Sequence, residues 1–473
     1  MHSRANELIV LPGVAEGAVI GKAIQSARDG DTVRVKKGIY RETLVLSKRL
    51  ELVGEAGAVV DPSERFEAAW QPAREIGPGV YRTSSPRKPG SLFLAGRVLA
   101  ELDFRRADKA GPWHWKELLA SGPPRGGFRF IRALWMYHPS EKAVYVHLPD
   151  NATPAEADLS VIWTREAVIT LRNVAGASIR GLTLAHGAHG IALQEGTRTC
   201  TVAQCVIGPW DKNGIFLGSG ASGCLIQSNQ VFRGAFEDWN PGDNSRERYE
   251  VWEIHKLVGY YDRVGIELLR PDANNRIYGN YVYETFDGID LGEESAVETL
   301  SKPLPHPEAG EGTEIGFNLI ERIRDSGIEL GGGCVNVQVH HNTLRQTHGG
   351  LRFKLPRLGP VFIYRNLLLE GAPFNIWYSM DDSPAEGYVY HNTIRGGRAG
   401  IIFSSFSPGD HTIGAPLPPT GSLSWEIPCR PRSNRTGCCA QTRASPNRAH
   451  RPKPPSPTTP TAPPNGAATD VSR

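Results

Sequence analysis

Glu267, Asp290 and Glu329 each stand directly after a Gly-Ile pair, and Arg352 stands directly after Gly-Leu, in four short segments of otherwise apolar character. If these segments are neighbouring parallel strands, the four side chains share one row with a strand spacing of about 4.8 Å. Like charges that close destabilise one another unless a shared proton, a cation or an arginine compensates. Three readings of such a row are open. Asp290 with Glu267 or Glu329 forms an acid/base or acid/nucleophile pair for glycoside hydrolysis, because the strand spacing is near the ~5–5.5 Å of retaining enzymes. Alternatively, Glu267, Asp290 and Glu329 hold a hard cation such as Ca²⁺ against a uronate. Arg352 then neutralises the substrate carboxylate and Lys354 abstracts the α-proton, which is lyase or epimerase chemistry. In the third reading the row is a structural charge ladder, with Glu329–Arg352 a surface pair worth little.

The elements that must carry this row are written as a repeat over residues 179–401, with a basic period of 23–26 residues. One apolar column reads Ile179, Val202, Ile226, Ile277, Ile315, Val339, Ile363 and Val389. Five residues on, a second reads Leu184, Ile207, Val231, Val282, Ile320, Leu344, Leu368 and Ile394. A third, following glycine in most repeats, reads Ile191, Ile215, Ile266, Ile289, Ile328, Leu351, Ile376 and Ile401. The residue after each third-column position faces outward, so Trp377 is expected to follow Arg352 in the row. A fourth column holds Asn229, Asn280, Asn318, Asn342, Asn366 and Asn392, at a turn. Asparagine tolerates a left-handed backbone, and amides stacked at one turn can bond to those above and below. Short strands of this kind bury a continuous core only when stacked as coils.

This pattern resembles the pectate-lyase-like superfamily of right-handed β-helix proteins. The opening "AIQSARDGDTVRVKKGIYRETLVLSKRLELVGEAGAVVD" resembles the start of secreted members, with a short capping helix at about residues 21–28 and a first coil made of "GDTVRV", "TLVL" and "LELVG". The resemblance covers roughly residues 17–61 and 166–412. It implies an all-β fold, a right-handed parallel β-helix solenoid, and it specifies chemistry hardly at all. It also implies an extracellular or periplasmic location, although Met1–Ile20 shows no basic region followed by an apolar run.

The organisation read from the chain is an N-terminal cap and first coil over 1–61, a β-rich insertion over 62–165, β-helix repeats over 166–412, and a tail over 413–473. The insertion breaks the period and is rich in Trp, Pro and Gly; Trp70, Trp113, Trp115 and Trp135 are core residues or sugar-stacking platforms. The tail, dominated by Pro, Arg, Ser and Thr, reads as disordered, either a linker or the product of a shifted reading frame. Its seven arginines and one lysine against Glu426 and Asp470 exceed the whole chain's net charge of +3, so nothing global argues for nucleic acid. No stretch approaches the roughly eighteen apolar residues of a membrane helix. Seven scattered cysteines read as free thiols.

Two inserts bracket the acidic row, roughly 234–262 before Glu267 and 293–309 after Asp290. Loops on both sides would wall a groove, with Trp239, Arg248 and His255 from the first insert and Trp377 from the scaffold as substrate-binding candidates. His186 and His189 sit on the same face two coils away, and His340, His341 and His391 read as solvated turn residues. The expectation is a monomer that cleaves an extended polysaccharide, by lyase or hydrolase chemistry, with Ca²⁺ as the one cofactor under consideration. The rival is a non-catalytic carbohydrate-binding or surface solenoid. A copper-site maturation role lacks the Met/His/Cys cluster it needs.

Overall fold

The computed structural model describes residues 6–12, 19–102, 115–121, 133–235, 263–292, 310–331, 334–354, 359–370, 374–378, 387–395, 401–405 and 412–414. Among these, three long sheets run side by side, of eleven, ten and eleven strands. Each coil gives one strand to each sheet, as in Arg276–Tyr278, Tyr281–Tyr283 and Asp287–Leu291. Every strand in the three sheets pairs in parallel with its counterparts one coil away, except the last, Thr412–Gly414, which runs antiparallel to Ile401–Ser405.

The apolar columns form the interior. Ile179, Val202, Ile226, Ile277, Ile315, Val339, Ile363 and Val389 are in mutual register on the first sheet. The second column is in register from Leu184 to Ile394. Most members of both are fully buried, at about 2 kcal/mol of apolar transfer each. On the third sheet the column holds from Ile191 to Leu351 and then departs from expectation: Leu351 pairs with Phe374, and Ile376 with Phe353.

Two features shape the turns. The ladder asparagines bond directly, Nδ2 to the next Oδ1, at 3.0 Å from Asn229 to Asn280 and 2.9 Å from Asn366 to Asn392, with equivalent bonds between. Contrary to expectation, the left-handed residue is the one before each asparagine: Ser228, Gly279, Phe317, His341, Arg365 and His391 have φ of 54–60°. The asparagine side chain accepts the backbone N–H of its counterpart in the preceding coil, as Asn318 does from Asn280 at 2.9 Å, and this offsets the strain beside it. On the third sheet a glycine row, Gly190, Gly214, Gly265, Gly288 and Gly327, brings backbones close. A Cβ at each would lie 2.3–2.8 Å from the carbonyl oxygen of the glycine one coil on.

The helix Val19–Ser26 packs Ile20 and Ile24 on the open end of this core. The first coil differs from the sequence reading, because "LELVG" lies in the first sheet beside Thr32–Val35 and so opens the second coil. That second coil is interrupted between Ala58–Val60 and Ala167–Arg172 by the insertion, which forms two small sheets of its own. Trp115 and Trp135 are buried in the insertion's cores and so pack rather than present platforms. Trp113 lies outside the described residues, as does the tail beyond residue 414. No described helix is long and apolar enough to cross a membrane.

Candidate functional site

The outer row of the third sheet reads, in strict pairing, Thr170, Ala192, Phe216, Glu267, Asp290, Glu329 and Arg352. The glycine row lets these strands approach closely in register, and strand alternation then turns the residue after each inward Ile or Leu outward. Asp290 is partly exposed, whereas Glu267 and Glu329 are 7 % exposed and Arg352 9 %.

The buried members have dedicated partners. Asn213 donates its Nδ2 to Glu267 Oε2. Ser326 Oγ donates to Glu329 Oε2 at 2.6 Å. Arg352 donates to Asp325 Oδ1 at 2.8 Å and to Glu329 Oε2 at 3.5 Å. Burial opposes the charge of the Arg352 guanidinium, but Asp325, Glu329 and Asp287 outweigh it and hold the group charged. Gly349 leaves room for this contact, since a Cβ there would lie 2.7 Å from Arg352 Nη2. Asp287 Oδ1 accepts the Ser326 backbone N–H at 2.9 Å. Glu329–Arg352 is thus a buried ion pair within a network, which corrects the surface-pair reading; removing one partner of such a network costs far more than removing an exposed pair.

Asn213, Asp287 and Ser326 were not among the sequence candidates. Each directly precedes a glycine of the glycine row, and that position is the signal that would have found them. His189 is the strand partner of Asn213 one coil before it. Burial first, then the charges of Lys212 and Arg263 against that of Asp211, push the His189 imidazole down to about 4, so the ring is neutral near pH 7. His340 also differs from expectation: it is buried, stacked on Tyr364 with centroids 5.1 Å apart, and burial lowers its basicity.

The other candidates are less fully placed. Trp377 pairs with Lys354, not Arg352, whose partner is Asn375; this corrects the expected row. Only the backbones of Lys354 and Trp377 are described, and Trp239, Arg248 and His255 lie outside the described residues. Among the described residues no three His, Cys, Asp or Glu side chains converge to hold a metal ion. The Glu267–Asp290–Glu329 row therefore offers the calcium reading no preformed cage.

The insertion and the 236–262 segment leave the scaffold at the same corner, between the second and third sheets. There the insertion meets the last described residues before that segment: Val98 bridges Ala235, Val98 N donates to Gly234 O at 3.1 Å, and Arg97 donates to Ala235 O. Phe93, Val98 and Ile162 form a small buried cluster against Ala235. The 293–309 segment leaves from the opposite edge of the third sheet, between Gly292 and Gly310.

A family model described as "right handed beta helix region" matches residues 167–354, the stretch that carries seven of the paired strands of the third sheet. The chain is a right-handed parallel β-helix. No curated protein sequence matches it. Solved structures similar to this β-helix include XylC with xylose, 16% identical over 84% of this chain and 69% of that one, with a TM-score of 0.39. An alginate lyase from Paenibacillus sp. str. FPU-7 is 11% identical over 84% and 97%, TM-score 0.39. A polygalacturonase from Erwinia carotovora ssp. carotovora is 11% identical over 85% and 77%, TM-score 0.33.

Proposed function

We propose that this β-helix binds an extended polysaccharide along the outer face of its third sheet and hydrolyses it at Asp290. The observation that carries the reading is the inequality within the acidic row. Asp290 is partly exposed, while its neighbours on either side, Glu267 and Glu329, are buried. Asp290 is thus the carboxyl that a glycosidic oxygen can reach, with Glu267 one strand away as the second carboxyl of the pair. Arg352 is committed to Asp325 and Glu329, which argues against its neutralising a substrate carboxylate in an elimination.

A binding-only solenoid is favoured by one feature, the buried ion pairs of Arg352 with Asp325 and Glu329, which explain the upper half of the row as structure. The test is incubation with uronate-containing and neutral polysaccharides, with and without Ca²⁺, following reducing ends and the ultraviolet absorbance of unsaturated uronate. New reducing ends without absorbance, lost at least 100-fold in Asp290→Asn, are expected. Absorbance that needs Ca²⁺ would replace hydrolysis with elimination. No product on any substrate, with sugar binding unchanged in Asp290→Asn, would leave the binding role.

A further inference from the structure

Below the acidic row, two buried polar atoms lack hydrogen-bond partners: Asn213 Oδ1 and His189 Nδ1. Asn213 is 0 % exposed, and its other amide atom is committed to Glu267. Because a carboxylate only accepts, the amide must present Nδ2 to Glu267, which leaves Oδ1 as an acceptor without a donor. His189 stands beside it in register on the preceding coil. Another such atom nearby, the Trp210 indole nitrogen, lies against Gly214 inside the hydrophobic core and does not belong to this face. A buried polar group without a partner costs about 1–3 kcal/mol, and two on neighbouring coils next to a reacting carboxylate point to a ligand that supplies what they lack.

We infer that His189 and Asn213 form a hydroxyl-binding subsite that continues the acidic row and selects a neutral sugar unit over a uronate. The inference rests on the polysaccharide reading above and specifies its substrate. What the subsite offers is chiefly acceptors: Asn213 Oδ1 and the carboxylate of Glu267, joined by His189 Nδ1 in the tautomer that carries its proton on Nε2. A sugar hydroxyl brings a donor to this set, whereas a uronate brings two more acceptors and a negative charge. Of the neighbouring cations only Lys212 is exposed. Arg263 and Arg352 are buried, and Arg352 is bound to Asp325 and Glu329. Phe216 packs beside the imidazole: its ring is tilted against His189 at 5.3 Å between centroids and is itself partly exposed. It supplies apolar surface on which a sugar ring can stack.

The test uses the full chain and titration calorimetry with two sets of oligosaccharides of equal length, one neutral and one of uronates. Neutral oligosaccharides are expected to bind at least tenfold more tightly than their uronate counterparts. His189→Leu and Asn213→Ala should each weaken the neutral set about tenfold, the scale of one lost hydrogen bond. Circular dichroism reports whether each variant is folded, and His189→Leu, at a partly exposed position, serves if Asn213→Ala is not. Tighter binding of uronates would overturn the inference, as would neutral binding unmoved by a folded variant; cleavage of a polysaccharide in either case would leave the hydrolytic reading standing. Failure of every glycan to bind would remove both.

Discussion

At the scale of single residues, the chemistry depends on which charges are already engaged. Arg352 sits among Asp325, Glu329 and Asp287, so Arg352→Met leaves buried carboxylates uncompensated and should destabilise the fold by about 3–5 kcal/mol. Adding Asp325→Asn and Glu329→Gln should recover much of that loss; denaturant unfolding of the single and triple variants measures it. His189 makes a second prediction. Its imidazole is pushed down to about 4 from an ordinary 6.5, so between these values the unfolded chain binds more protons than the folded one. Stability is therefore lost as pH falls from about 6.5 to about 4, by roughly 3 kcal/mol in total, and no further below that. Melting temperatures at pH 7.5 and 4.5 should fall less for His189→Asn than for the unaltered chain, and equal falls would refute the assignment. The row itself was legible in the sequence, because Glu267, Asp290 and Glu329 share one spacing from Gly-Ile. Their partners were not, because asparagine, aspartate and serine before a glycine are also what ordinary turns contain.

At the scale of the element, the coil is specified by contacts that recur at one height after another. The Asn318 side chain gives and receives four hydrogen bonds within the ladder, two of them with backbone groups of neighbouring coils. Asn318→Ala should cost about 3–4 kcal/mol, whereas Asn392→Ala, at the end of the ladder, should cost markedly less; guanidinium unfolding compares them. The inward columns could be read without a structure because β-branched residues at a fixed period have one way to be buried together. The phase was lost only at Phe374–Tyr378, where Phe374 and Ile376 have the same parity and similar bulk. Hydrophobicity cannot tell a strand from the same strand slipped by two. The left-handed positions escaped for another reason: Ser228, Phe317, His341 and Arg365 have no side-chain chemistry in common, since the neighbouring asparagine, rather than the residue itself, stabilises the turn.

At the scale of the whole molecule, the described residues form a long scaffold on which distant parts of the chain converge at one corner. The insertion leaves the second coil and the 236–262 segment leaves several coils later, yet Val98 and Ala235 pair. Sequence periodicity showed where both segments interrupt the repeat but not that the insertion reaches back to Ala235, because that contact depends on the corner from which the insertion departs. The repeat has a further consequence for engineering. Asn280 and Asn342 make the same bonds to Asn318 from below and above, and Gly288 and Gly350 flank Gly327 in the same way. Residues 318–341 are therefore a removable unit: excising them joins Phe317 to Asn342 and seats Asn280 directly on Asn342. The shortened chain keeps its ladder and its core, but loses Glu329 and sets Asp290 against Arg352, turning an acidic row into an ion pair without altering a single remaining side chain.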